Sequence, residues 1–135
     1  MRSGKRRKEM LNNTVIISNN KLVKEILSTH VEVMLLEGTL LQTMEQARDL
    51  IHKGYILLTH PLSGSIKPNQ TPYKSIALRK GDGPTDFGSV EIMEQSIART
   101  KSLLADRETP NWPERCLEDF RVIDLDLIKN ALKIN

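Results

Sequence analysis

Leu50-Ile-His-Lys-Gly54-Tyr-Ile-Leu-Leu58-Thr-His60-Pro-Leu-Ser-Gly-Ser65-Ile-Lys-Pro-Asn-Gln70-Thr-Pro-Tyr-Lys-Ser75 is the stretch on which the architecture turns. Lys53-Gly54 reads as a helix exit, with a cation in the last turn and a glycine at the left-handed C-terminal position. Tyr55 to Leu58 is a short apolar run, too brief for a helix, and reads as a strand. From Thr59 to Lys74 helical periodicity is lost, and Pro61, Pro68 and Pro72 bar most regular structure. A loop of this length inside one small domain is uncommon and is usually either functional or disordered.

Upstream, Thr14–Ile17 is a β-branched run followed by Ser18-Asn19-Asn20, and Leu22, Val23, Ile26 and Leu27 then repeat at helical spacing. Asn19 or Asn20 supplies the N-cap. Residues 31–36 read as a second strand. Thr39 and Gln42 form a capping-box pattern before a helix with Leu40, Met44, Ala47 and Ile51 on one face. Strand, helix, strand, helix, strand is the alternation of a parallel sheet covered by helices. Downstream, residues 75–78 make a fourth strand whose direction stays open, since no crossover helix precedes it. Ser89 is read as the cap of a helix reaching about Ala105, residues 120–123 as a fifth strand, and Asp124 as the cap of a last helix. The expected fold is an α/β single-domain three-layer sandwich of about five mostly parallel strands with helices on both faces, Rossmann- or flavodoxin-like.

The chain has 135 residues, enough for one domain with a real core, and only five aromatic residues, so that core is aliphatic. The net charge of +3 is misleading. Five of the 20 basic residues lie within residues 1–8, so the rest carries 15 basic against 17 acidic side chains, a balance of −2. Residues 1–10 therefore read as a flexible basic arm on a near-neutral domain spanning 11–135, which argues against nucleic-acid binding by the folded body. One cysteine, Cys116, excludes an intramolecular disulfide and a multi-cysteine metal site. It fits a reducing, cytoplasmic setting. No secretory leader and no run of 18 or more apolar residues is visible, so no membrane span is expected.

In open α/β sheets, ligands bind beyond the carboxyl ends of the strands. Two loops fall at that edge. One is Ser18-Asn19-Asn20. The other carries His60, Ser63, Gly64, Ser65, Lys67, Asn69, Tyr73 and Lys74. If the first and third strands are neighbours, these loops face each other across a crevice. Ser63-Gly64-Ser65 offers backbone amides to an oxyanion, Lys67 and Lys74 offer charge, and Asn69 and Tyr73 offer directional hydrogen bonds. The competing reading is a proline-stiffened loop held by its own Ser, Thr and Asn contacts. His60 is the acid–base candidate, although a structural histidine at a strand end is the more ordinary role. His52 lies in the last turn of a helix, where interaction with the carboxyl end is a more ordinary role than catalysis, and His30 ends the first helix as an ordinary residue. No P-loop, serine-hydrolase elbow or metal-ligand spacing is present, and no metal or cofactor is assigned.

Residues 17–23, 48–54 and 59–75 together resemble the GrdX family, small proteins encoded alongside glycine, sarcosine and betaine reductase components of anaerobic bacteria. The likeness covers roughly residues 14–80 well and the C-terminal third loosely. It implies a cytoplasmic protein linked to amino-acid fermentation, and it brings no reaction and no catalytic residues.

Three functions follow as expectations. The first is an accessory protein binding a small anionic ligand, a carboxylate or a phosphate, between the two loops. The second is an enzyme using His60 as general acid or base, with Lys67 or Lys74 stabilising negative charge. The third is an assembly factor whose loop contacts reductase subunits. A homo-oligomer is compatible with each.

Overall fold

A computed structural model describes residues 11–64 and 66–134. The arm assigned to residues 1–10 lies outside them, as does Ser65. The elements are β1 (Thr14–Ser18), α1 (Lys21–Leu27), β2 (Glu32–Leu35), α2 (Leu40–His52), β3 (Ile56–Leu57), β4 (Ser75–Arg79), α3 (Phe87–Asp106) and α4 (Glu114–Leu132).

The sheet corrects the expected fold. It has four strands in the order β2-β1-β4-β3 and is mixed. β1 pairs parallel with β2 and antiparallel with β4, and β4 pairs antiparallel with β3. This is not a five-stranded, mostly parallel Rossmann-like sandwich. The cause lies in the quoted stretch. With no helix between β3 and β4, the chain reverses instead of crossing over, and β4 inserts between β3 and β1. β3 is thereby left at an edge, shortened to two half-buried residues.

The expected fifth strand is helical. Residues 120–123 lie inside the 19-residue α4. Phe120-Arg-Val-Ile is β-prone locally, but Arg121, Asp124, Leu125 and Ile128 recur at three- and four-residue spacing, and those four are the buried positions. Val122 and Ile123 are the exposed ones. Asp124 is therefore an interior residue of the helix, not its cap.

Alternation along the central strands feeds two cores. Val15, Ile17, Ile76 and Leu78 face Met44, Ala47 and Ile51 of α2 and Met93 and Ile97 of α3. Ile16, Ala77 and Val33 face Val23 and Leu27 of α1 and Leu125 and Ile128 of α4. Both faces of β1 are thus covered, and all five of its residues are buried.

Asn20 caps α1 through its side-chain oxygen, which accepts from Leu22 N. Thr39 and Gln42 close a capping box on α2. α3 begins earlier than expected: its cap is Asp86, whose carboxylate accepts from the backbone and hydroxyl of Ser89. Ser89 is buried, and its Oγ accepts from Leu57 N at 2.9 Å, tying α3 to β3.

Candidate functional site

Antiparallel pairing sets Ser75 beside Ser18 in register. The end of the long loop thus enters the sheet next to the place where β1 leaves it. The two loops expected to face each other do meet, although β4 separates β1 from β3 and the expected strand adjacency is absent. Asn19 joins them. Its Nδ2 donates to Pro72 O at 2.8 Å and to Gly38 O at 3.0 Å, while its Oδ1 accepts from Lys74 N at 2.9 Å. One side chain holds three loops together.

Around Asn19 lies a cavity of about 450 Å³, walled by Gly38, Thr39, Leu40, Leu41, Pro68, Pro72, Tyr73, Leu104 and Thr109. Its size falls within the usual range for small-molecule sites, as does its apolar wall with few polar groups. The first turn of α2 forms part of that wall. Thr39 Oγ1 accepts from Gln42 N, and the amides of Leu40 and Leu41 have no carbonyl one turn earlier within the helix. The helix dipole adds partial positive charge there.

Behind Tyr73 is a second, buried arrangement. Asp124 Oδ2 accepts from Ser75 Oγ at 2.7 Å and from Asn20 Nδ2 at 3.0 Å. Ser75 Oγ lies 2.7 Å from Ser18 Oγ, which accepts from Asn20 N at 3.0 Å. Because Ser75 donates to the carboxylate, Ser18 donates to Ser75, and the chain of hydrogen bonds has one direction. Asn20 also donates to Arg121 O at 2.9 Å. Burial pushes the Asp124 carboxyl above the usual carboxylate range, opposed by the hydrogen bonds from Ser75 and Asn20 and by the charge of Lys74. Lys74 is 9% exposed, and burial pushes its ammonium below the usual lysine value against the pull of Asp124.

The expected site residues divide accordingly. Asn19 and Tyr73 reach the large cavity. Ser18, Asn20 and Lys74 belong to the buried cluster. His60 and Ser63 line a crevice of about 20 Å³ beside Lys74. His60 is exposed, and its Nδ1 accepts from Leu62 N at 3.1 Å, which commits that nitrogen to the local turn. Gly64 packs against Leu127, at a φ of +106°. Lys67 is exposed and lines none of these cavities. Asn69 is structural: its amide donates to the carbonyls of Leu103 and Arg107 and so closes the end of α3. The loop is further pinned by Trp112 Nε1, which donates to Gln70 O at 2.7 Å, and by Arg121, which donates to Tyr73 Oη at 2.7 Å and pairs with Glu114.

Sequence reasoning missed Asp124, Arg121, Ser75, Thr39 and Leu104. One signal was present for the first two. Arg121 and Asp124 share a helical stripe with Leu125 and Ile128, and ionisable residues on an apolar stripe are rarely buried without a purpose.

The chain is thus a small α/β protein with a mixed four-stranded sheet, a ligand-sized cavity at the carboxyl end of β1 and a buried polar cluster behind it. It belongs to the GrdX-like family, whose model matches residues 15–133. No curated protein and no solved structure matches it. No helix among the described residues is long and apolar enough to cross a membrane.

Proposed function

We propose that this is a cytoplasmic accessory protein of a glycine, sarcosine or betaine reductase system that binds a small carboxylate- or phosphate-bearing ligand at the carboxyl end of β1. The family supports the reductase link. The observation that carries the ligand is the 450 Å³ cavity with the first turn of α2 in its wall. In this reading the Leu40 and Leu41 amides meet the anionic group, because free N–H groups and the helix dipole both favour negative charge there. Leu104, Pro68 and Pro72 contact the apolar part, and Asn19 holds the cavity open by fixing the loops that form it.

An NMR titration of amide shifts with acetate, glycine, betaine and inorganic phosphate, with chloride as control, tests this. Saturable shifts at Asn19, Leu40 and Leu41 are expected for at least one ligand, and Leu104→Trp, which fills the cavity, should abolish them. Shifts that rise linearly with every salt, chloride included, or that survive Leu104→Trp, would sink the reading.

A further inference from the structure

Lys74 is a largely buried lysine whose amine has no direct partner among the described residues. Its side chain is mostly buried, yet its Nζ makes no hydrogen bond and no direct ion pair with the described residues, and it keeps some contact with solvent. Buried lysines are normally paired. The opposite charge nearest in effect, Asp124, is 7% exposed, with Oδ2 already taken by Ser75 and Asn20. Two crevices, of about 20 Å³ and about 10 Å³, flank the pair, and both are lined by Ser63, Lys74, Asp124 and Leu127. Each has room for about one water-sized group. The larger one reaches Thr59 and His60 at the start of the long loop. Since His60 Nδ1 accepts from Leu62 N, a neutral ring carries its proton on Nε2 and presents a donor.

We propose that Lys74 is a carbonyl-capturing residue, its amine condensing with a small aldehyde or 2-oxo acid whose C=O head enters the crevice from the His60–Ser63 side. The crevice has room for the carbonyl oxygen but not for the groups on its carbon, so the carbon meets Nζ at the crevice mouth and only small, unhindered carbonyls qualify. A poorly solvated amine gives up its proton more readily than an exposed lysine, and so reaches the neutral form such chemistry needs at lower pH, in the direction that burial shifts Lys74. In the step, the nitrogen lone pair forms the C–N bond while the carbonyl π pair moves to oxygen, which takes a proton. A second proton carries that oxygen off as water, the C–O bond breaks, and the nitrogen lone pair closes the C=N bond. The two hydrogens of the amine leave in the water, and nothing is oxidised or reduced. Asp124, whose carboxyl burial holds above the usual carboxylate range, lines the same crevice and is placed to carry the proton. The inference is independent of ligand binding in the larger cavity, from which Tyr73 separates it.

The test is reductive trapping on the folded, full-length protein near neutral pH, with glyoxylate as carbonyl and cyanoborohydride as hydride donor. Peptide mass mapping then locates the carboxymethylated lysines. Lys74 is expected to react several-fold faster than the exposed Lys67, because burial makes its amine easier to deprotonate. That preference should vanish in guanidinium chloride. Lys74→Arg should remove the adduct without altering labelling elsewhere, and Asp124→Asn should slow it. Lys74 left unlabelled in the folded protein, or labelled no faster than Lys67, overturns the proposal. The wild-type map decides this even if a variant fails to fold.

Discussion

The side-chain amide of Asn20 donates to Asp124 Oδ2 at 3.0 Å, across 104 positions of the chain. That bond joins the exit of β1 to the middle of α4. The same carboxylate oxygen also takes the Ser75 hydroxyl. Asp124 is therefore the point at which the first strand, the last strand and the last helix share one acceptor.

Replacing Asp124 with alanine should destabilise the protein by about 3 kcal/mol, because two buried donors lose their acceptor. Asp124→Asn keeps an oxygen acceptor and should cost less than half as much. Its pH response should also differ. The folded-state pKa of Asp124 is raised by burial, so the folded protein holds this proton more tightly than the unfolded chain. Stability from this group is present at low pH and declines as pH rises from the ordinary carboxylate value through the folded one. Asp124→Asn should remove that decline. Urea denaturation at a series of acidic pH values measures both effects.

Lys74 has the opposite sense. Its folded-state pKa is lowered, so the unfolded chain holds the proton more tightly between the folded value and the ordinary value of 10.5. Stability should rise with pH through that window and be lost as pH falls back through the folded pKa. Lys74→Met should flatten this rise and raise stability at neutral pH, where burying the cation costs most. An unchanged slope in denaturant melts between neutral and alkaline pH would contradict the burial assigned to Lys74.

Asn19→Ala removes three hydrogen bonds that hold the Gly38, Pro72 and Lys74 segments together. A loss of about 2 kcal/mol is expected. Hydrogen exchange should show deprotection of Lys74 N, with little change in β1. Uniform deprotection across the sheet would mean that Asn19 supports the whole fold and not only the loops.

Two glycines predict a contrast at the helix exit. Gly54 has a φ of +109°, and a Cβ there would lie 2.8 Å from Gly83 O. Gly54→Ala should cost about 2 kcal/mol through the left-handed backbone and the clash together. A Cβ on Gly83 would meet nothing within 4 Å, and Gly83→Ala should leave the melting temperature nearly unchanged. Equal thermal shifts for the two variants would refute the contrast.

Local signals in the sequence read well where one residue type forces one conformation. The Thr39–Gln42 capping box, the Gly54 exit and the Asn20 cap are contacts within a few residues, decided by backbone groups that need partners. The buried apolar runs of β1 and β4 also follow from sequence, since nothing in them suits water. The site was half legible for the same reason. The polar residues of both loops stood out, and Asn19, Tyr73 and Lys74 do reach the candidate cavities. What each polar side chain does was not legible. Asn69 closes a helix 34 residues away, and His60 Nδ1 is spent on a turn.

The absence of a crossover helix between β3 and β4 was legible in the sequence, whereas the direction of β4 stayed open until its antiparallel pairing with β1 and β3 was seen. Only the tertiary structure decided that β4 slots between β1 and β3, because strand order depends on which faces α2 and α4 cover, and that is set by contacts between distant segments. It also decided that residues 120–123 are helix. Their local β preference is worth a few tenths of a kcal/mol per residue, while turning Leu125 and Ile128 toward the sheet buries two aliphatic side chains and brings Asp124 to Asn20 and Ser75.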